Sequence, residues 1–175
     1  MPRPKNRSWL PLVVTLACLA LLLTQRPGPD SNASAHTLAA QGAKTWYRGN
    51  LHTHSLWSDG DDYPEMIAAW YRDHGYDFLA FTDHNVLQTS DDKWSGVAKN
   101  KGGMEAYRKL KSRFPQNWSD ERMTDGALEV RLKMFSEVTA KLAEPGKFLL
   151  IQGEEITDRF GNLPVHMNGT NMTEL

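Results

Sequence analysis

The chain has 175 residues, of which 40% are apolar and 23% are charged. These proportions are typical of a globular protein and exclude a disordered tail, a collagen-like repeat and a polytopic membrane protein. The 20 basic and 21 acidic residues give a net charge of -1, which argues against a basic stripe that holds duplex nucleic acid. The single cysteine, Cys18, cannot form an internal disulfide, and a cysteine-based metal site is excluded.

The N-terminal residues are typical of an export signal. Basic residues precede an apolar stretch at 9–23, and a small-x-small cleavage site follows at 33–35. The sequence predicts a signal peptide at 1–35, a linker at 36–45 and an exported protein, periplasmic or extracellular. A membrane-spanning helix needs roughly 20 apolar residues, so this stretch is short for one. An uncleaved N-terminal anchor, which would be the chain's only contact with a membrane, is the alternative.

The folded part, which begins at residue 46, opens with a strand, a helix and a second strand. The first strand is predicted at 46–52. A helix follows, with Pro64 at its start, apolar residues at helical spacing and Gly75 at its end. The apolar run at 78–81 does not alternate with polar residues, which indicates a strand covered on both faces, as in a parallel sheet.

The second half continues this order after a polar segment. Residues 86–118 show no clear apolar pattern and are predicted to be an insertion. A helix is predicted over 127–143, a third strand over 148–151 and a fourth short strand over 163–167. The alternation of strands and helices predicts an α/β fold. A complete α/β barrel takes about 250 residues, so residues 46–175 are interpreted as the N-terminal portion of a longer domain.

Imidazole and carboxylate side chains follow the predicted strands one after another. His52 and His54 are two positions apart, so on a strand they would point to the same face about 6.6 Å apart. Two surface histidines on an edge strand are the simpler interpretation. Further potential ligands, however, follow in the next turn and at the next strand ends: Asp59, His84, Glu155 and His166. Functional groups gather at the carboxyl ends of strands in parallel α/β sheets, so the sequence predicts a metal site.

Together these motifs resemble the PHP superfamily, named for polymerase and histidinol phosphatase. The similarity covers residues 47–85 and 148–169. Its clearest parts are Asn-Leu-His-Thr-His-Ser at 50–55, Thr-Asp-His-Asn at 82–85, Gly-Glu-Glu-Ile-Thr at 153–157 and Val-His-Met-Asn-Gly at 165–169. The resemblance implies a distorted (β/α)7 barrel that holds two or three divalent metal ions. Only the first strands and helices of such a barrel are expected in this chain.

The resemblance also implies a set of metal ligands, with Glu155 as the bridging carboxylate: His52, His54, Asp59, His84, Glu155 and His166. Asp83 is expected either to support a neighbouring ligand or to form a turn. Imidazoles and carboxylates without a thiolate suit Zn, Mn or Fe and do not select among them. The family completes its site with a later His and an Asp-x-His motif that this chain does not contain, so the chain alone is expected to be nearly inactive.

The predicted function is a metal-dependent hydrolase that acts on a small-molecule ester, with phosphate esters favoured. Metal ions about 3.5–4 Å apart can polarise an ester oxygen and lower the pKa of a shared water. Three alternatives stay open: a carboxylic ester or amide hydrolase at the same site, a non-catalytic metal-binding domain, and an enzyme that acts on small nucleotides. The Gly-x-Ser-x-Gly motif of serine hydrolases is absent from the sequence.

Overall fold

The computed structural model describes residues 44–173, and the compact unit begins at Trp46. The predicted signal peptide and most of the predicted linker lie outside the described residues. Each helix within residues 44–173 is too short or too polar to span a lipid bilayer.

The described residues form short helices and strands in mixed order. The helices are α1 (Pro64–Asp73), α2 (Gly103–Arg113) and α3 (Phe135–Leu142). The strands are β1 (Gly49–Asn50), β2 (Phe78–His84), β3 (Trp94–Gly96), β4 (Glu121–Thr124), β5 (Ala127–Arg131), β6 (Leu149–Phe160) and β7 (Leu163–Thr170).

The main sheet contains four strands in the order β1-β2-β6-β7 and curls strongly into a half-barrel. Strands β1, β2 and β6 are parallel, and Phe78 of β2 pairs with Leu149 of β6. Strand β7 is antiparallel to β6, with Phe160 opposite Leu163 next to the connecting turn. The α/β class is confirmed. The sheet is mixed, however, because β6 turns back directly into β7 without a crossover helix.

A second, antiparallel sheet has the order β3-β5-β4. Its central strand, β5, occupies residues that were predicted to begin a helix. The prediction of one helix over 127–143 is wrong, since Ala127–Arg131 forms β5 and α3 begins only at Phe135. Asp125 and Gly126 both have positive φ angles, 51° and 78°, as a type I′ hairpin turn requires. This turn pairs the segment after it with β4, which prevents the helix from starting there.

The polar segment predicted to be an insertion has regular structure of its own. Residues 86–118 contain β3 and α2. Ala106 and Leu110, one helical turn apart in α2, are both buried in the core. The segment is therefore packed against the rest of the fold.

The hydrophobic core lies between the main sheet and the helices. Leu79 and Phe81 of β2 are almost fully buried, as are Ala69 of α1 and Val138 of α3. Strand β2 is buried from Leu79 to Asp83, which agrees with the expectation of a strand covered on both faces. Burying a side chain such as Leu or Phe contributes about 1.5–3 kcal/mol, so the carboxyl end of β2 is held firmly.

Candidate metal centre

The six predicted ligands meet at one edge of the main sheet. His84 is the last residue of β2 and pairs with Glu155, which lies within β6 rather than after it. His166 lies in β7, opposite Thr157. Because β2 and β6 are parallel, their pairing places His84 and Glu155 side by side.

His52 and His54 also reach this edge, but not as part of a regular strand. Strand β1 ends at Asn50, so the predicted strand over 46–52 is too long at both ends. The backbone N–H of Thr82 donates to the Thr53 carbonyl at 2.9 Å and holds the segment beside β2. The two imidazole rings lie edge to face with their centroids 4.8 Å apart, which is closer than the strand spacing suggested.

The Glu155 carboxylate lies at the centre of the cluster and is 5% exposed. Its Oε2 atom is 2.7 Å from His54 Nε2 and 3.2 Å from His84 Nδ1. The same oxygen is 3.7 Å from His52 Nε2, while Oε1 is 2.6 Å from His166 Nδ1. One buried carboxylate therefore contacts four imidazoles.

Asp59 approaches the cluster from the turn that follows His54. Its Oδ1 atom lies 2.7 Å from His54 Nδ1 and 3.6 Å from His84 Nε2. Gly60 allows this turn to be tight, because a Cβ at residue 60 would lie 2.6 Å from the backbone of His54. The carboxylate thus folds back onto His54 and reaches His84, and its side chain stays 64% exposed.

These residues form three overlapping groups that could hold metal ions. Within each group the potential ligand atoms lie within 4.8 Å of one another. The groups are His52, His54 and Glu155; His54, Asp59 and His84; and His84, Glu155 and His166. A neutral imidazole has one nitrogen lone pair to offer. Because His54 and His84 each belong to two groups, the three groups cannot all be complete at once.

Two buried atoms in the cluster test whether a cation fits there. His54 Nε2 and Glu155 Oε2 are 2.7 Å apart, yet within residues 44–173 neither has a hydrogen-bond partner. A buried polar atom without a partner costs about 1–3 kcal/mol. A divalent cation would accept a lone pair from both atoms, so the donor set fits a metal ion.

Both carboxylates are ionised at neutral pH. Burial tends to raise the pKa of Glu155, but the surrounding imidazoles, His84 foremost, outweigh burial and hold this pKa below its ordinary value. The hydrogen bond with His54 holds the pKa of the Asp59 carboxyl below its usual range. Metal ligands must be deprotonated, and these two acids meet that condition.

Two threonine hydroxyls, which the sequence did not single out, contact the imidazoles. Thr82 Oγ1 lies 2.8 Å from His52 Nδ1. Thr157 Oγ1 lies 2.6 Å from His84 Nδ1 and 3.2 Å from His166 Nδ1. Hydrogen bonds of this kind fix the orientation and tautomer of a metal-binding histidine. Because strand residues two apart share a face, Thr157 could have been found from its position two residues after Glu155.

Asp83 lies beneath the cluster and takes no part in the three groups. It is 1% exposed, and its carboxylate accepts hydrogen bonds from the Ser55 N–H, the hydroxyls of Ser55 and Ser58, and the Gln88 amide. Ser55 and Ser58 flank the turn between His54 and Asp59. Asp83 therefore anchors the segment that carries two potential ligands.

An apolar cavity of about 520 Å³ lies at the opposite end of the parallel strands. It is lined by Phe78 and Leu149, the first residues of β2 and β6. None of the six clustered residues lines this cavity. The cavity and the histidine and carboxylate cluster are therefore separate sites at opposite ends of the parallel strands. No protein-family model matches this chain, and no curated protein and no solved structure matches it either.

Proposed function

We propose that the chain belongs to an exported, metal-dependent hydrolase of small-molecule esters, with a phosphate ester as the favoured substrate. One observation carries this proposal: the buried Glu155 carboxylate lies between 2.6 and 3.7 Å from four imidazole nitrogens. Imidazole and carboxylate ligands suit Zn, Mn or Fe. Two or three such ions are part of the proposal for the whole enzyme, following the resemblance to the PHP superfamily, and the residues of this chain can complete at most two of the three groups at once.

The accessibility of the cluster supports an enzyme over a metal site that only stabilises the fold. A structural metal is enclosed by its protein ligands, whereas a catalytic metal keeps a position open for water or substrate. The side chains of His52 and Asp59 are 47% and 64% exposed, while Glu155 is buried beneath them. The cluster thus has a protein-filled side and a side open to solvent.

The chain's own residues prepare this centre in three ways. Divalent ions, when bound, would supply a Lewis acid and lower the pKa of a water molecule towards neutrality. Glu155 is ionised and presents both oxygens to the imidazoles. Thr82 and Thr157 hold ring nitrogens of three histidines. Asp83 holds the turn on which His54 and Asp59 lie.

We also propose that the half-barrel supplies the first strands of a PHP-type (β/α)7 barrel. The parallel order of β1, β2 and β6 and the strong curl of the sheet support this proposal. So does the position of the cluster at the carboxyl ends of these strands.

Metal content tests the first step of the proposal. The purified chain is loaded with Zn or Mn, desalted and analysed by mass spectrometry for metal per polypeptide. We expect wild type and Glu154→Gln to retain metal and Glu155→Gln to lose it. Glu154 is a matched control, since it is also a buried glutamate of β6 but belongs to none of the three groups. Equal metal content in both variants would refute a site centred on Glu155.

Hydrolysis tests the second step and uses the complete barrel proposed above, in which this half-barrel supplies the first strands. The substrates are p-nitrophenyl phosphate and bis-p-nitrophenyl phosphate, with p-nitrophenyl acetate as the carboxylic ester. We expect metal-dependent release of p-nitrophenol from a phosphate ester and its loss on chelation. Turnover of the acetate alone would favour a carboxylic ester hydrolase, and activity that resists chelators would refute the mechanism.

A further inference from the structure

A lysine from the 86–118 segment lies at the open side of the metal centre. The Lys101 ammonium donates a hydrogen bond to the backbone carbonyl of Asp59 at 2.9 Å. Asp59 is the most exposed member of the cluster, and its carboxylate contacts His54 and His84. Lys101 therefore brings a positive charge to the rim through which a substrate would reach the buried Glu155.

The backbone around Lys101 is packed against the turn that carries Asp59. A Cβ at Gly102 would clash with the carbonyl oxygen of Asp61, so the two chain segments are in close contact there. Seven residues after Gly102, within α2, the Lys109 ammonium pairs with the Asp62 carboxylate at 2.6 Å. The contact at Gly102 and the Lys109 ion pair thus fix α2 against this turn. They position the backbone of Lys101, so its side chain is not needed to hold the two segments together.

The partners of Lys101 differ from those of the other lysines nearby. Lys109, Lys111 and Lys133 each lie within 3.0 Å of a carboxylate. Among residues 44–173, no carboxylate lies within 4.0 Å of the Lys101 ammonium, and its hydrogen bond goes to a neutral carbonyl. An ammonium group has three N–H donors. The Lys101 charge is therefore not taken up by a direct ion pair, although it acts electrostatically on the Asp59 carboxyl, and it lies at a site where the proposed substrate carries negative charge.

We propose that Lys101 is a specificity-determining residue that binds the anionic group of the substrate at the metal centre. This inference rests on the proposed function, because it concerns the same site. A charge-assisted hydrogen bond from an ammonium to a phosphate oxygen is strong compared with one between neutral groups. Lys101 would select phosphate esters over uncharged esters, and it comes from the segment that the PHP resemblance does not cover.

The test measures binding of inorganic phosphate to the Zn-loaded chain by isothermal titration calorimetry. We compare wild type with Lys101→Met, which removes the charge, and Lys101→Arg, which keeps it. Lys99→Met is the matched control, since Lys99 lies two residues earlier and packs beside Gly96. Metal content is measured for every variant.

We expect Lys101→Met to weaken phosphate binding about tenfold, with Lys101→Arg closer to wild type and Lys99→Met unchanged. Metal content should be equal in all four proteins. Unchanged phosphate binding in Lys101→Met would overturn the inference, and so would a loss of metal from that variant, which would make Lys101 a structural brace. Failure of the Zn-loaded wild type to bind phosphate would instead count against the proposed function itself.

Discussion

Replacing Asp83 by alanine should destabilise the fold and weaken metal binding together. The substitution removes a buried carboxylate that accepts four hydrogen bonds of 2.6 to 2.9 Å. A hydrogen bond to a charged group contributes about 1.5–3 kcal/mol. The two serine hydroxyls can rotate towards other partners, but the Ser55 N–H and the Gln88 amide are fixed and buried. We therefore expect a loss of about 3–5 kcal/mol in the free energy of unfolding, at the upper end for single substitutions.

Urea denaturation, followed by tryptophan fluorescence, measures this loss, and a chelator competition assay measures zinc affinity. Asp83 holds Ser55 and Ser58, which lie in the turn between the potential ligands His54 and Asp59. We therefore expect zinc affinity to fall by about 10–100-fold. Asp91→Ala, at an exposed aspartate, is the control and should change neither quantity. The reasoning is refuted if Asp83→Ala unfolds at the same urea concentration as Asp91→Ala.

Three other substitutions or titrations test separate parts of the structure. Thr157→Val should weaken zinc binding about tenfold or more, because it removes the hydroxyl that contacts two imidazoles, while Thr157→Ser and the exposed Thr89→Val should not. Zinc titration should saturate at no more than two tight sites per chain, since His54 and His84 cannot each serve two ions; three tight sites would contradict this. Burial raises the pKa of Glu65 from 4.5 to about 7, so the free energy of unfolding should fall by up to about 3 kcal/mol as pH rises through that range. Glu65→Gln should remove this part of the pH dependence, and an equal slope in both proteins at pH 5 to 8 would show that Glu65 is not its source.

The cluster was more predictable from the sequence than the chain segments around it. Histidine occurs only six times in the chain, and four of the six stand at or near predicted strand ends whatever the details of the strands. The register of β2 with β6 then places His84 beside Glu155, even though β6 continues past Glu155 into the hairpin. The approach of His52 to His54 did not follow from strand spacing, because β1 ends before either histidine.

The helix predicted over 127–143 shows why apolar periodicity alone misled. Leu128, Leu132 and Phe135 fit a helical stripe, yet Leu128 lies in β5 and Phe135 begins α3. The deciding signal was local: Asp125 and Gly126 form a two-residue hairpin turn, which sets strand pairing with β4 before a helix can begin. Turn chemistry therefore outweighed side-chain period over this stretch.

The supporting hydrogen bonds were the least predictable part of the site, and they explain how an exposed cluster can stay ordered. Thr82, Asp83 and Ser55 are each at most 1% exposed, whereas the side chains of His52 and Asp59 are 47% and 64% exposed. Thr82, Asp83 and Ser55 are not among the potential ligands; they hold the backbone and ring nitrogens of the segment that carries His52 and His54. Since buried hydrogen bonds are costly to break, these buried residues keep the accessible side chains of the cluster in place. The side facing solvent is then left free for the substrate that we propose, with Lys101 at its rim.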